Sequence, residues 1–251
     1  VVSVICTVII GLVAGGIAGA IPGILRAYLG TSEVIVTIMM NYIILYVANN
    51  IIRFGFTADM LRSSEASNKV VASASYQTEF LSQITGGSRF NIGFFLALAA
   101  AFLVWFLLKK TTTGFEITSV GLNPHASEYA GMSSKRVIIM SMIISGALCG
   151  LGGTVEGLGT FQNVFVQNAS LAIGWNGMAV ALLASNSPIG IPFAALLYGV
   201  LSIGKSGMIG VPSEIIDVVS ALIIFFVGAN YIIRYWVRPR HKSVKAKGGQ
   251  N

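Results

Sequence analysis

Tyr42, Tyr46 and Asn49 stand four and three residues apart. On a helix turning ~100° per residue they fall within about 60° of one another. Two rings and a carboxamide on one stripe could stack a planar solute and hydrogen-bond its edges, with Asn41 and Thr37 on the neighbouring face. The same groups could act as glue between helices, because amides and hydroxyls in an apolar phase bond to adjacent helices. Glu156 is the other candidate, the carboxylate that lies well within the apolar stretch 137–158. Intramembrane acids are functional candidates by default. Twenty residues from Arg136 amounts to ~30 Å, so Glu156 belongs near the far boundary of its span. There it adjoins Gln162, Asn163, Gln167 and Asn168, a polar mouth. An outer gate, a contact for a protein outside, or a simple interfacial carboxylate all fit it. No catalytic set and no metal-ligand spacing stands out, and Cys6 and Cys149 read as small packing residues.

One apparent motif is rejected. "GVLSIGKS", residues 199–206, satisfies the phosphate-loop pattern literally. That chemistry needs a loop between a buried strand and a helix, so that backbone amides surround phosphates. Here an apolar "PFAALLY" precedes it and a Gly- and Pro-rich "GMIGVPSE" follows. Nucleotide binding is therefore not assigned to this chain.

The elements that must carry these residues are membrane spans. The chain is 55% hydrophobic and 10% charged, against about 25% charged in soluble domains. Apolar windows predict an all-α polytopic bundle with spans at 3–25, 34–52, 91–108, 137–158, 170–184, 189–203 and 214–233. The two segments 170–184 and 189–203 are short and broken by Ser185-Asn186-Ser187-Pro188. Opening on Val1 inside an apolar run, the sequence reads as a fragment whose first spans are missing. The net charge of +7 is not a nucleic-acid signal, since six of the sixteen basic residues crowd the tail 234–251. Lys109, Lys110, Lys135 and Arg136 flank the polar segment 109–136. Basic loops face the cytoplasm, which places both segments there and the loop 53–90 outside; the four crossings between 136 and 234 agree. That loop could hold a short helix touching an outer protein, or be plain surface loop. Asp217 suits the first turn of the last helix, and Trp175 and Trp236 suit membrane interfaces. Gly11, Gly15 and Gly19 form one ladder of small residues; Gly146 and Gly150, followed by Gly153 and Gly157, form another. Such faces allow close helix packing in lipid.

Within 109–136, Asn123 is a good N-cap and Pro124 suits the first helical position. Gly131 can close the C-terminus in a left-handed conformation. A helix over 124–130 is only two turns and is marginal alone in water, so it needs support from its own domain or from another protein. Ala126, Tyr129 and Ala130 give it a small, partly apolar face.

The stretch "TTTGFEITSVGLNPHASEYAGMSSKRV" resembles the cytoplasmic motif of permease subunits in the simple-sugar, nucleoside and branched-chain amino-acid group of ABC importers. Gly114, Gly121, Asn123, Ala126, Ala130 and Gly131 match that pattern, and Met132 departs from the more usual Ile. "ISGALCGLGGTVEGLGTFQNVF" and "GWNGMAVALLASNSPIGIPFAALLYGVL" follow in family order, and "SEVIVTIMMNYIILYVANN" is similar to the nucleoside branch. The resemblance implies a non-enzymatic permease in a cell membrane, in contact with lipid and bearing a coupling helix at 123–131. It also implies a separate ATP-binding subunit holding ATP and Mg, a second and different permease chain, and an extracellular substrate-binding lipoprotein. Under it, Asn41, Tyr42, Tyr46 and Asn49 would meet a base or ribose. Simple sugars as cargo, or an ATP-independent secondary transporter or channel with similarly broken helices, are the alternatives.

Overall fold

The structure, a computed structural model, describes residues 2–55, 61–63, 66–71, 74–78, 90–169 and 173–207, with single positions at 83, 86, 218, 221, 222 and 225. Helices α1 (Val2–Leu29) and α2 (Glu33–Asn50) come first, and α2 runs on as a π-helical turn, Ile51–Gly55. Strands β1 (Leu61–Ser63) and β2 (Ala66–Ser67) follow, then α3 (Gly93–Lys110), α4 (Thr112–Leu122), α5 (Pro124–Tyr129) and α6 (Ser134–Val155). A second π-helical turn, Glu156–Phe161, extends α6; α7 (Ile173–Leu183) and α8 (Gly190–Gly207) complete the described elements. Four of these, α1, α3 and the π-extended α2 and α6, are long and apolar enough to cross a bilayer. The protein is an all-α polytopic membrane protein. Residues 1–172 and 173–251 form two compact units.

The spine of the first unit is an antiparallel seam between α1 and α6. A methyl group built on Gly15 would sit 2.8 Å from the Cα of Gly150, and one on Gly19 would sit 3.0 Å from the Cα of Gly146. A methyl group on Gly11 would fall 3.1 Å from the Gly150 carbonyl oxygen, and one on Gly23 3.0 Å from Met142. Lipid tails are as apolar as leucine, so side-chain burial supplies little drive for pairing helices; close van der Waals contact between backbones does. The expected ladder is thus real as far as Gly150. Gly153 and Gly157 do not extend it, since nothing lies within 4 Å of either position. Past Gly150 the partner stripe on α1 has ended, and spacing along one helix cannot show where the other stops. Cys6 and Cys149 are exposed, not packed. An apolar stretch reads the same whether it faces lipid or another helix.

At one end of this seam α1 closes on Gly30, whose φ of +64° is the left-handed conformation glycine tolerates. Arg26 then pairs with Glu33 at 3.2 Å and donates to the Thr31 carbonyl at 3.0 Å, which turns the chain into α2. At the other end, the described part of the loop 53–90 holds the antiparallel pair β1–β2, with Leu61 opposite Ser67 and Ser63 opposite Ala66. Gln83 is helical.

In the second unit α7 spans only about 16 Å at the helical rise per residue, half of a ~30 Å hydrocarbon core. Its C-terminus turns through Ser185 and Asn186, both left-handed at φ 52° and 56°, with Asn186 N–H donating to the Ala181 carbonyl at 2.8 Å. The polar interruption therefore ends one half-length helix and starts α8. The whole of residues 199–206 lies inside α8, where backbone amides are committed to intrahelical bonds and cannot surround a phosphate. The span 214–233, Asp217, Trp236 and the tail 234–251 lie outside the described residues apart from single positions.

Candidate functional site

The segment 111–133 is a bracket built from local rules. Thr111 caps α4: its hydroxyl accepts from Gly114 N–H at 3.1 Å and donates to the Leu107 carbonyl at 2.6 Å. The turn from α3 into α4 is so tight that a methyl group on Gly114 would fall 2.6 Å from the Cα of Leu108. Gly121, by contrast, has nothing within 4 Å. Asn123 then ends α4 and starts α5, its side-chain oxygen accepting from Ala126 N–H at 3.1 Å. Pro124 occupies the first helical position.

The end of α5 is equally defined. Gly131, at φ +86°, donates to the Glu128 carbonyl at 2.9 Å, and Met132 N–H donates to the Ser127 carbonyl at 3.0 Å. This pair of bonds is the Schellman closure. The expected helix over 124–130 is one residue shorter, because Ala130 leaves the helical region to cap it. What holds so short a helix is its own neighbour: Ser134, in the first turn of α6, donates to the Pro124 carbonyl at 3.2 Å. Ser127 is 4% exposed and donates to the Asn123 carbonyl at 3.0 Å. Every other residue of α5 faces outward. Tyr129 is 95% exposed and with Ala126 and Ala130 gives α5 a partly apolar outward face; Leu122, at the end of α4, is 83% exposed.

Sequence inspection singled out neither Ser127 nor Ser134, and left α4 without an assignment. The run of threonines at 111–113 carried a signal for α4, since Thr is a favoured N-cap. Nothing local marks the serines, whose role depends on α5 folding back onto α6.

At the opposite end of α6 the π-helical turn meets the hairpin region. Thr160 donates to the Glu156 carboxylate at 3.1 Å. Gln162, left-handed at φ 57°, donates from its side-chain amide to Ser75 at 3.0 Å and to Gln77 at 2.8 Å. Its carbonyl accepts from Val70 N–H at 2.8 Å. Gln77 in turn donates to the Gly159 carbonyl at 3.0 Å. Tyr76 is fully buried, and its hydroxyl meets that of Thr7 on α1 at 3.1 Å. Residues 66–71 and 74–77 are thus stitched across the ends of α1 and α6. Gln162 belongs to that stitching, while Asn163 is a half-buried bend beside it. Tyr76 was not a candidate, because its partner lies 69 residues away.

On α2, Asn41, Tyr42 and Tyr46 are exposed. Asn49 is drawn away from them: its amide donates to the Gln167 carbonyl at 2.7 Å and accepts from Gln167 N–H at 3.0 Å. The stripe is thereby divided into two exposed rings and a carboxamide that anchors the loop after α6. Among the described residues no group of three His, Cys, Asp or Glu side chains is arranged to hold a metal ion.

Comparison with known proteins gives this geometry a context. The family described as branched-chain amino acid transport system / permease component matches residues 1–228. Over 243 residues the chain is 51% identical to the nucleoside ABC transporter permease protein NupB of Lactococcus lactis, covering 95% of this chain and 66% of the relative. It is 48% identical over 215 residues to the guanosine ABC transporter permease protein NupP of Bacillus subtilis, covering 84% and 61% respectively. The glucose ABC transporter permease protein TsgB13 of Haloferax volcanii is 33% identical over 151 residues, 59% of this chain and 40% of the relative. The chain thus spans slightly less than two thirds of the length of the first two relatives. No solved structure is matched. With a match reaching from its first residue to position 228, the chain belongs to the branched-chain amino acid transport system permease component family.

Proposed function

We propose that the chain is the permease subunit of an ATP-driven importer and forms part of a membrane path for nucleosides. The observation that carries this reading is the exposed, doubly capped helix α5, held against α6, in a chain 51% identical to a nucleoside permease. A short helix with a fixed base and a bare apolar face is suited to transmit a push. An ATP-binding subunit, holding ATP and Mg, would seat on Ala126, Tyr129 and Ala130. Closure of the ATPase pair would then rock α6, and with it α1 through the glycine seam, as a rigid-body change. Gly114, Gly121, Asn123, Pro124 and Gly131 shape and terminate the lever.

Tyr42 and Tyr46, with Asn41 beside them, are the proposed contacts for a base or ribose. Asn49 holds the loop next to that face. Glu156, Gln162 and Asn163 belong to an outer gate, where an extracellular substrate-binding lipoprotein would deliver cargo. A second, different permease chain would supply the other half of the path, in a bacterial plasma membrane with 109–136 cytoplasmic. The chain itself performs no catalysis in this scheme.

The test is uptake by the complete importer in proteoliposomes loaded with ATP, using labelled nucleosides and sugars. ATP-dependent nucleoside uptake is the expected result. Uptake of simple sugars would favour the second reading, for which the 33% identity to a glucose permease speaks. Gradient-driven uptake without any ATPase would overturn both.

A further inference from the structure

The end of the α1–α6 seam that carries α5 also carries a cavity of about 410 Å³, lined by Tyr28, Ser133, Lys135, Arg136 and, deeper, Ile139, Met140 and Ile143. Among the described residues no acidic side chain lines it, and Glu33 on α2 is already paired with Arg26 at 3.2 Å. The Lys135 ammonium lies 5.4 Å from the centre of the Tyr28 ring, which holds it by cation–π attraction. Both cations sit in the first turn of α6, where the helix dipole opposes positive charge and favours an anion.

Ile143 lines a second cavity as well, a groove of about 370 Å³ between α1, α3 and α6. Its walls are wholly apolar and include Leu12, Leu103, Ala147 and Leu151. From Met140 to Leu151 is about 16 Å along α6, close to one leaflet's share of a ~30 Å hydrocarbon core. A tendency for basic residues to gather at one membrane face accounts for the two cations. It does not account for an apolar trough, one leaflet deep, opening beneath them.

We infer that this pair of cavities is a binding site for an anionic phospholipid, the phosphate held by Lys135 and Arg136 and an acyl chain lying in the groove past Ile143. Basic pockets at membrane depth attract anionic headgroups, at about a five-fold gain in affinity per cation near the surface. The groove supplies what an isolated anion site lacks, a place for the tail. The inference does not depend on which solute the protein carries.

The experiment uses the chain purified with its co-extracted subunits and measures retention of spin-labelled phosphatidylglycerol against spin-labelled phosphatidylcholine. Phosphatidylglycerol should be preferred, and Lys135→Gln with Arg136→Gln should lower that preference about five-fold for each cation removed. Exchanging the two, Lys135→Arg with Arg136→Lys, should restore it. Ile143→Trp, which fills the groove where the cavities meet, should reduce retention of both lipids. Inorganic phosphate should not displace the bound lipid. Unchanged preference in the Gln variants, or complete displacement by phosphate, would overturn the inference. So would an Ile143→Trp variant that keeps its lipid but sheds a co-purifying subunit, which would assign the groove to a protein helix.

Discussion

Gly114 and Gly121 sit seven residues apart in the same helix and match the same family pattern, yet a methyl group meets backbone 2.6 Å away at the first and open space at the second. Gly114→Ala should therefore destabilise the protein by about 1–3 kcal/mol, the usual cost of overpacking. Gly121→Ala should be neutral or stabilise by up to ~1 kcal/mol through helix propensity. Thermal unfolding of the two variants in detergent checks both signs, and equal loss in both would refute the close-approach account. Asn123 makes a similar point about a side chain. Its cap bond to Ala126 N–H is worth about 1 kcal/mol on replacement by Ala, whereas Asn123→Asp keeps the acceptor. Hydrogen exchange across 124–130 should accelerate in the first variant and stay near the parent rate in the second. The residue type was legible at all three positions, but whether a glycine is obligatory depends on what lies opposite it.

Among the elements, the α1–α6 seam and the bracket α4–α5 differ in how they are held. The seam is backbone against backbone, with the Cα atoms of Gly15, Gly19, Gly146 and Gly150 within reach of any added Cβ. Gly146→Val should separate the two helices and sharply lower the yield of folded protein. Gly153→Val, facing open space, should leave the fold intact, with a small helix-propensity gain. Size-exclusion profiles of the purified variants separate these outcomes. The bracket instead depends on the bond that Asn123 accepts from Ala126 N–H and on those that Ser127 and Ser134 donate. At the far end, Tyr76→Phe removes the hydroxyl contact to Thr7 while keeping the buried ring. A cost of about 1 kcal/mol is expected, the net value of one such bond, with earlier proteolysis between 56 and 90 as its sign.

For the whole molecule, the proposed lever and the proposed path are predicted to separate under mutation. Ala130→Asp puts a charge on the exposed C-cap of α5. In the proposed importer, nucleotide hydrolysis should continue while uptake falls at least ten-fold; unchanged uptake would remove α5 from the proposed mechanism. Tyr46→Ala should also weaken uptake with assembly and hydrolysis retained, but by raising the solute concentration that uptake needs, whereas Ala130→Asp should lower the maximal rate. Composition and apolar run length determined the class and the four long apolar helices, and Asn123, Pro124 and Gly131 the short helix with its caps. Those signals are local, carried by hydropathy within ~20 residues or by side-chain bonds within four. The tertiary structure decided which glycines touch, that Cys6 and Cys149 face outward, that Asn49 is bonded to Gln167, and that Tyr76 is buried against α1. Each of those depends on residues distant in the chain, and in a membrane the reason is general. Lipid and protein interior are alike in polarity, so hydropathy tells a helix to enter the bilayer but not which of its faces another helix will cover.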